Sequence, residues 1–517
     1  MGLSITNFVV IVLLFTFLSL YTLDFNLVIS LCSLDYLVNL YTSFTIDLLS
    51  TSCLGMLMSC FIIAGIFYWH YFSWHSDYLI VNIQVFVLSM AFLIFTSSSI
   101  NSFIGWEVLG VSSFFLILYY GIYCSSRAAM ITIISSRLGD VGFFIFISCC
   151  LSDTIPSISI LCSIFIMFLL ISKSAVFPLT SWLLEAMRAP TPVSSLVHSS
   201  TLVAAGIVLI CRYESLLVGG YYSYLFYSLC IFTVIISATC AFFYSDTKKI
   251  IALSTCNNIS WCYIYLYNSM WELCIIQLVC HGIFKCILFC LIGDFLVNSN
   301  NSQNKSMHYY FGSEAYSIIV TIVCLFISGA PFLGVYFSKH LFIAYLSEST
   351  SLVPCLLITL GLSLSFLYTF RLLNVLNSDN NSNTGGFNNV YIVSIIILPY
   401  YVFINSLISN SILEDSLPGF ILNILVNSLI LLMSLGGYLL SLNINDKWFT
   451  GLYGQDFMIM DSIQVLSFLS SFTYCLSIFR WESYCVSLFS EYRLRFNTSI
   501  GFLLVVSLMF YILLILL

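Results

Sequence analysis

The sequence predicts an all-α polytopic membrane protein with about 14–16 transmembrane helices, and three observations lead to this fold class. The chain has 517 residues, of which 61% are hydrophobic and only 7% are charged, whereas soluble proteins carry roughly 25% charged residues. Apolar segments of the roughly 20 residues that a helix needs to cross a bilayer recur from one end to the other. Strands of about ten residues with alternating polarity are missing from the sequence, which argues against a β-barrel.

The apolar segments define the predicted spans. They lie at 3–22, 52–72, 79–97, 100–120, 128–150, 157–187, 192–212, 222–244, 249–268, 271–296, 314–346, 351–374, 389–409, 417–441 and 499–517, with 25–49 as a further candidate. The first segment resembles a signal peptide but has neither a basic start nor a small-residue cleavage site, so we expect a retained span.

Two predicted spans are interrupted. Pro178 breaks 157–187, and the stretch SGAPFLG at 328–334 breaks 314–346. A pair of broken spans is typical of transporters with internal repeats and a site near the middle of the membrane. The segment 442–498 mixes charges and serines with apolar residues. It is either a last span or an amphipathic helix on the membrane surface, and its diluted apolar positions favour the second.

Several classes of protein are disfavoured by the composition. The net charge of −7 includes no basic run, so we expect no nucleic-acid partner. Phosphate-loop and dinucleotide fingerprints do not occur in the sequence. The 20 cysteines form no C-x-x-C pair, which argues against iron–sulfur and zinc sites. We therefore expect neither metal ligands nor cofactor-binding residues in this chain.

Ionisable residues within the apolar segments are the candidate functional residues. A charged side chain at the bilayer centre costs about 2.5–3.5 kcal/mol on insertion scales, so such residues need a partner or a water-filled cavity. The candidates are Glu107, Lys173, His198, His281, Lys285 and Lys339.

Glu107 and Lys173 are each isolated in their own span, and we expect them to pair across helices. The pair has either a structural or a functional role. A functional role is favoured, because ionisable residues inside a membrane usually mark functional sites. His281 and Lys285 are four residues apart, on one helix face, and can exchange a proton through water. The alternative for them is a hydrogen-bonded core histidine and a lysine that reaches toward the membrane surface.

His198 lies among serines and threonines, whose hydroxyl groups can order water. A lone histidine in a helix is more often a hydrogen-bonded core residue than part of a relay. Other predicted helices, however, also contribute ionisable residues. Lys339 directly follows the second break and precedes His340. The six residues together suggest a proton relay inside the bundle. Arg137 and Asp140 are expected to be structural, either as a local pair or as an anchor at the end of a span.

Six stretches occur in the order found in the antiporter-like subunits of respiratory complex I, and the chain resembles that family over residues 30–345. The stretches are FIGWEVLGVSSFFLI, SRLGDVG, KSAVFPLTSWLLEAMRAPTPVSSLVHSSTLVAAG, DTKKIIALST, HGIFKCILF and GAPFLGVYFSKH. The resemblance implies two inverted five-helix repeats with discontinuous helices and a lateral helix before the last span. It also implies proton pumping driven by quinone reduction elsewhere in the complex.

The resemblance also assigns residues. The family's key glutamate falls on Glu107, its first lysine on Lys173 and its histidine after the T-P-V turn on His198. Its H-x-x-x-K pair falls on His281 and Lys285, and its second broken-helix lysine on Lys339. There are three departures from the family pattern: Gln277 stands where a histidine is common, His340 stands where an aspartate is usual, and Arg188 stands where an acidic or small residue is common. At Gln277 we expect water to take a larger part in the relay.

The expected organisation follows from the motifs. It comprises N-terminal helices at 1–98, a first antiporter-like repeat at 99–245, a second at 246–375, C-terminal helices at 376–441, a short lateral segment at 442–498 and a final anchor at 499–517.

The resemblance implies a proton-translocating membrane-arm subunit of an NADH:ubiquinone oxidoreductase in the mitochondrial inner membrane. FMN, iron–sulfur clusters and ubiquinone would bind elsewhere in the complex. The expected partners are other membrane-arm subunits, especially antiporter-like subunit 4, accessory subunits, and lipids such as cardiolipin. The first alternative is the large subunit of a multi-subunit Na+/H+ antiporter. The second is a scaffold that has lost pumping.

Overall fold

The structure, a computed structural model, is helical over most of its described length, which confirms the predicted fold class. It describes residues 27–34, 40–72, 77–151, 160–213, 221–244, 246–298, 314–331, 333–349, 352–376 and 420–441. The predicted spans 3–22, 389–409 and 499–517 and the lateral segment 442–498 lie outside these residues.

Fifteen helices and one hairpin make up the described part. The strands are β1 (Leu27–Leu34) and β2 (Leu40–Ile46). The helices are α1 (Leu48–Tyr71), α2 (Asp77–Phe95), α3 (Ser99–Leu118), α4 (Tyr123–Leu151), α5 (Ile160–Ser174), α6 (Ser181–Ala186), α7 (Thr191–Leu196), α8 (Leu202–Arg212), α9 (Tyr221–Phe243), α10 (Thr247–Tyr267), α11 (Trp271–Asn298), α12 (Glu314–Ser328), α13 (Tyr336–Ser349), α14 (Leu352–Leu376) and α15 (Phe420–Ser441).

Within the described ranges, eight helical stretches are long and apolar enough to cross a membrane. They are Leu48–Tyr71, Tyr78–Phe95, Ser99–Leu118, Tyr123–Ser148, Thr191–Arg212, Ser223–Phe243, Trp271–Val297 and Val353–Leu376. Two of them, at 191–212 and 271–297, are almost entirely covered by other helices. These two form the centre of the bundle, and the protein is a polytopic membrane protein.

The candidate span at 25–49 is wrong, because its residues 27–34 and 40–46 form two antiparallel strands. Strands β1 and β2 pair antiparallel from Leu27 opposite Ile46 to Leu34 opposite Leu40, with a register shift between Ser30 and Cys32. Each apolar run is too short for a spanning helix and contains β-branched residues, which favour strands.

Asp47 ends the hairpin and caps α1. Its side chain accepts a hydrogen bond from the Ser50 backbone N–H at 2.9 Å, and the Ser50 hydroxyl accepts one from the Asp47 backbone N–H at 2.8 Å. The Asp47 carboxylate also forms an ion pair with Arg212 at the end of α8. The hairpin is thereby tied to the central helices.

The first predicted break is present between α5 and α6. Helix α5 ends at Ser174, Ala175 has a positive φ of 54°, and the Phe177–Pro178 peptide bond is cis. The next span is irregular as well, because a π-helical turn at Val197–Thr201 joins α7 to α8. Such turns insert a residue and are frequent at functional sites.

The second predicted break is present between α12 and α13. Gly329 and Gly334 have φ values of 86° and 49°, a conformation that costs glycine nothing and side-chain-bearing residues about 1 kcal/mol or more. A Cβ on Gly334 would also stand 2.9 Å from the Phe326 carbonyl oxygen. The sequence therefore favours both breaks, with a proline at the first and glycines at the second.

The two broken spans are five segments apart. If each broken pair and the π-linked pair count as one segment, residues 77–212 contain five segments and residues 221–376 contain five more. In this division the broken segment is the fourth in each half. The division at 99–245 and 246–375 instead encloses five and four described segments.

Glycines bring α4 and α5 into close contact. A Cβ on Gly142 would overlap the Phe165 carbonyl oxygen and would stand 3.1 Å from Leu169 Cβ. A Cβ on Gly139 would collide with the Ser172 hydroxyl group. These contacts fix the position of the end of α5, where Lys173 lies.

We predict that Gly142→Ala forces α4 and α5 apart and lowers the stability of the purified protein by about 1–3 kcal/mol, the usual cost of overpacking. Gly65→Ala on α1 is the matched control, because nothing lies within 4 Å of its added Cβ. The measurement is the thermal unfolding midpoint of each variant. Equal midpoints for the two variants would contradict the close packing described.

Candidate functional site

Lys173 lies in the last turn of α5 and is only 1% exposed. Its ammonium group donates a hydrogen bond to the Trp106 carbonyl oxygen on α3 at 2.5 Å. It also lies 4.0 Å from the centroid of the Trp106 ring, a distance at which the ring face attracts a cation. Trp106 thus supplies both an oxygen acceptor and an aromatic face to the lysine.

Trp106 connects Lys173 to an ion cluster on α3 and α4. Its indole N–H donates to Asp140 Oδ1 at 3.0 Å. Arg137 donates to the other Asp140 oxygen at 3.0 Å and to Glu107 Oε2 at 2.6 Å. Glu107, Arg137 and Asp140, here called the α3–α4 cluster, therefore lie next to the lysine.

The expected pairing of Glu107 with Lys173 is wrong in this structure, because the cation bound to Glu107 is Arg137. Asp140 is nevertheless linked to Lys173 through Trp106, whose indole N–H binds Asp140 and whose carbonyl oxygen accepts from the lysine. Arg137 and Asp140 do form the expected pair three residues apart. That pair belongs to the site, however, and is not a separate anchor.

The α3–α4 cluster reaches an apolar outer face of the bundle. The Arg137 side chain is 51% exposed and the Glu107 side chain 23%. Around them lie exposed apolar side chains at helical spacing on both helices, here called the α3–α4 face: Ile104, Val108, Val111, Phe115, Met130, Ile134, Val141 and Phe144. Arg137 lies near the middle of the candidate span Tyr123–Ser148.

A small cavity lies beside Lys173 on the inner side. Hydroxyl groups line it from three helices, namely those of Ser113, Thr132, Ser135, Ser136 and Ser172, and Trp182 and Val197 also contribute to its lining. It has room for about one water molecule, and a polar wall of this kind can order one. The space therefore continues from the lysine toward the π turn.

His198 lies in that π turn and is completely buried. Its ring centroid is 6.3 Å from that of Trp182. Neither ring nitrogen makes a hydrogen bond of good geometry among the described residues, although the Ala186 backbone lies close enough to interact with the ring. The turn packs closely against α11, since a Cβ on Gly282 would stand 3.6 Å from Ser200 Cβ. His198 is thereby placed next to the helix of His281.

His281 and Lys285 lie on one face of α11, and both are at most 1% exposed. Neither nitrogen of His281 has a partner among the described side chains and backbone groups. Lys285 donates to the Ile251 carbonyl oxygen at 3.2 Å and to the Ser254 hydroxyl group, both on α10. The lysine is therefore bound within the bundle and does not reach its surface.

Gln277 is bonded by protein on both sides. Its amide N–H donates to Asn258 Oδ1 on α10 at 2.9 Å, and the Ser338 hydroxyl on α13 donates to its carbonyl oxygen at 2.5 Å. Asn258 in turn donates to the Ser254 carbonyl oxygen at 2.8 Å. These bonds fix the orientation of the Gln277 side chain, and the larger part of water in the relay at this position stays a prediction.

Lys339 lies at the start of α13 and is 2% exposed. It donates to the carbonyl oxygen of Ser328, the last residue of α12, at 3.0 Å and to the Ser365 hydroxyl at 3.3 Å. The break thus provides a free helix-end carbonyl for the cation. His340 is half-buried and stacks on Tyr336 with ring centroids 5.1 Å apart.

The six predicted residues, here called the row, follow one another from α3 to α13. Five of them are buried, namely Lys173, His198, His281, Lys285 and Lys339, and Glu107 is partly exposed. Sequence reasoning missed Trp106 and Ser254, and it placed Asp140 outside the site, although the G-W-E and R-x-x-D spacing marks Trp106 and Asp140.

Several buried polar atoms along the row have no described partner, including Glu107 Oε1, Trp182 Nε1, His198, His281 and Trp261 Nε1. Buried polar groups of this kind are usually satisfied by ordered water. In the described part of the chain, no three His, Cys, Asp or Glu side chains are grouped to hold a metal ion.

Comparison with known proteins identifies related families. Residues 96–367 match the family described as "NADH:quinone oxidoreductase/Mrp antiporter, TM". The chain is 34% identical to NADH-ubiquinone oxidoreductase chain 5 of Ascaris suum over 307 residues, which are 57% of this chain and 56% of that protein. For the protein of the same name from Locusta migratoria the identity is 35% over 324 residues, with 58% and 56% covered. The chain therefore spans little more than half the length of these curated relatives.

Solved structures share the fold. The Mrp complex from Dietzia sp. DQ12-45-1b contains a chain that matches with a TM-score of 0.68 and 18% identity, over 89% of this chain and 57% of that one. An archaeal respiratory complex, the membrane-bound sulfane sulfur reductase, contains a chain with a TM-score of 0.65 and 16% identity, over 85% of this chain and 94% of that one.

We predict that Arg137→Ala destabilises the protein by about 1–3 kcal/mol, because it leaves the buried Asp140 carboxylate without its cation. Arg137→Lys retains the charge and is expected to recover at least part of this loss. The thermal unfolding midpoint of the purified protein measures both effects. An Arg137→Ala variant as stable as the unmodified protein would show that the cluster contributes nothing to the fold.

Proposed function

This chain belongs to the NADH:quinone oxidoreductase/Mrp antiporter family, and from that premise we propose that it is a proton-translocating membrane-arm subunit of a respiratory NADH:ubiquinone oxidoreductase, of the chain 5 type. In this proposal the chain relays protons through the row while quinone is reduced elsewhere in the complex. The 34% identity to NADH-ubiquinone oxidoreductase chain 5 of Ascaris suum supports this assignment over other members of the family.

The observation that carries the proposal is the burial of three lysines, Lys173, Lys285 and Lys339, in one row at 2% exposure or less. Ionisable side chains inside a membrane bundle are expensive and default to a function in proton or ion transfer. Burial disfavours the charged form of a lysine, whereas nearby carboxylates favour it. Each lysine can therefore gain or lose a proton when its surroundings change slightly.

We assign the proton-relay role to Glu107, Lys173, His198, His281, Lys285 and Lys339. Movement of Arg137 between Glu107 and Asp140 would change the negative charge that Lys173 experiences. A proton released by Lys173 could pass through water in the hydroxyl-lined cavity toward His198. From there the unpartnered nitrogens of His281 lead to Lys285. The amides of Gln277 and Asn258 do not exchange protons readily, so passage to Lys339 requires water beside them.

We propose that two repeats position this row, with 77–212 as the first and 221–376 as the second. The equal count of five segments and the fourth place of both broken segments support this division over 99–245 and 246–375. The other expected parts of the chain remain proposals. They are N-terminal helices from residue 1, C-terminal helices at 376–441, a lateral segment at 442–498 and an anchor at 499–517.

We propose that another membrane-arm subunit, antiporter-like subunit 4, covers the α3–α4 face. A half-exposed arginine in the middle of an apolar face is poorly suited to lipid, because acyl chains offer it no acceptor. A neighbouring subunit with a carboxylate or carbonyl oxygen at the same depth in the membrane would accept the remaining hydrogen bonds of the Arg137 guanidinium group. Accessory subunits and lipids such as cardiolipin are further proposed partners.

The proposed location is the mitochondrial inner membrane, as the similarity to chain 5 proteins of animals suggests. In this assignment the complex is an enzyme and this chain contributes the transport step. FMN, iron–sulfur clusters and ubiquinone would be bound by other parts of the complex.

The second candidate is the large subunit of a multi-subunit Na+/H+ antiporter. It is favoured by one observation, the fold similarity to the Mrp complex with a TM-score of 0.68. The identity of 18% to that chain shows the fold alone, whereas chain 5 relatives exceed 30%.

Replacing Lys173 tests the relay. We predict that Lys173→Met lowers proton translocation per NADH oxidised at least about tenfold in vesicles carrying the assembled complex, because the α3–α4 cluster then has no proton carrier to act on. The measurement is acidification monitored together with NADH:quinone turnover.

Lys249→Met is the matched control, since Lys249 lies at the start of α10 and pairs with Asp246 at 3.8 Å, away from the row. Normal translocation in Lys173→Met would make that lysine structural and would remove the main support for the relay. A loss in both variants would point to a general defect in assembly.

Isolation of the native complex separates the two candidate functions. We predict that this chain, captured from solubilised membranes by an affinity tag, co-purifies with flavin and iron–sulfur proteins that oxidise NADH. An antiporter would instead co-purify with small membrane subunits and without flavin. Absorbance spectra and NADH oxidation by the captured complex distinguish these outcomes.

A further inference from the structure

A short sequence pattern occurs twice, once in each proposed repeat. Residues 104–107 read Ile-Gly-Trp-Glu in α3, and residues 259–262 read Ile-Ser-Trp-Cys in α10. Helices α3 and α10 are both the second segment of their five-segment halves. Trp261 therefore stands where Trp106 stands in the first half, and Cys262 stands where Glu107 stands.

Both tryptophans accompany the lysine of a broken helix. Each indole is completely buried. Lys173 lies 4.0 Å from the centroid of the Trp106 ring, and Lys339 lies 5.7 Å from that of the Trp261 ring. Both distances are within the reach of about 6 Å over which an aromatic face attracts a cation.

The two halves differ in their negative charge. Near Lys173, the Trp106 indole donates to the Asp140 carboxylate, and the Glu107 carboxylate binds Arg137 of the same α3–α4 cluster. In the second half, no ion pair joins Lys339 to a carboxylate among the residues that the structure describes. Its oxygen acceptors are the helix-end carbonyl of Ser328 and the hydroxyl of Ser365.

We propose that Trp261 is a positioning residue for Lys339, and that its aromatic face, with the end of α12, stabilises the lysine cation where the first half uses carboxylates. This inference rests on the proposed relay function. The first half can change the charge around its lysine by moving Arg137. The second half has a fixed aromatic face and a fixed carbonyl, and the residues described around Lys339 offer no counterpart to the movement of Arg137 between two carboxylates.

The test compares substitutions of Trp261 in the assembled complex. Trp261→Leu and Trp261→Met remove the aromatic face, and proton translocation per NADH oxidised is expected to fall roughly two- to tenfold, the worth of a cation–aromatic contact. Trp261→Phe retains a weaker aromatic face and is expected to recover most of the loss. The Met variant fills the space with a flexible side chain if the Leu variant does not assemble.

Phe342→Leu is the matched control. Phe342 is completely buried and packs edge-on against Trp261, with ring centroids 6.4 Å apart. It packs against the Trp261 ring, and no cation–aromatic contact joins it to Lys339 among the described residues. We expect it to translocate protons like the unmodified complex.

The outcomes are distinct. Equal losses in Trp261→Met and Phe342→Leu, or a Phe variant no better than the Met variant, would overturn the positioning role and leave the relay intact. Lys339→Ala is measured alongside. Normal translocation in Lys339→Ala would instead overturn the part of the proposed function assigned to this lysine, whatever the Trp261 variants do.

Discussion

The structure depends on one interaction, the hydrogen bond from a buried lysine ammonium group to a backbone carbonyl oxygen. Lys173 uses the carbonyl of Trp106, Lys285 that of Ile251 and Lys339 that of Ser328. An ammonium group with no acceptor would be too costly to bury. Ser328 has its carbonyl free because α12 ends there, whereas the other two carbonyls lie within helices and are shared with the helix. The break after Ser328 supplies the acceptor for Lys339, and close helix packing brings the Trp106 and Ile251 carbonyls to the other two lysines.

The sequence predicted most of the helices, because long apolar runs have few alternatives in a membrane protein. It also predicted both interrupted segments, because Pro178, Gly329 and Gly334 have local conformational effects that do not depend on packing. The error at residues 25–49 has a physical reason. Hydrophobicity alone does not distinguish a spanning helix from two short strands, and only the pairing of β1 with β2 decides between them.

The six candidate residues were recognisable because an ionisable group in an apolar segment is conspicuous. Their partners were not, since a backbone carbonyl or a serine hydroxyl has no signature in a sequence. The partner of Glu107 was misassigned for a related reason: Arg137 lies on the adjacent helix, and helix rotation, which fixes the contact, follows from tertiary packing. Gln277 shows the same limit. Its place in a hydrogen-bonded chain from Ser338 to Ser254 requires three helices to be positioned together.

The half-exposed Arg137 on the apolar α3–α4 face has a consequence for biogenesis. A newly inserted copy without neighbours would present the exposed part of this side chain to acyl chains near the middle of a span, at a cost below the roughly 2.5–3.5 kcal/mol of an unpaired charge, because Glu107 and Asp140 already bind it. Association that covers this face removes the cost, so the isolated chain is at a disadvantage that the assembled one does not share.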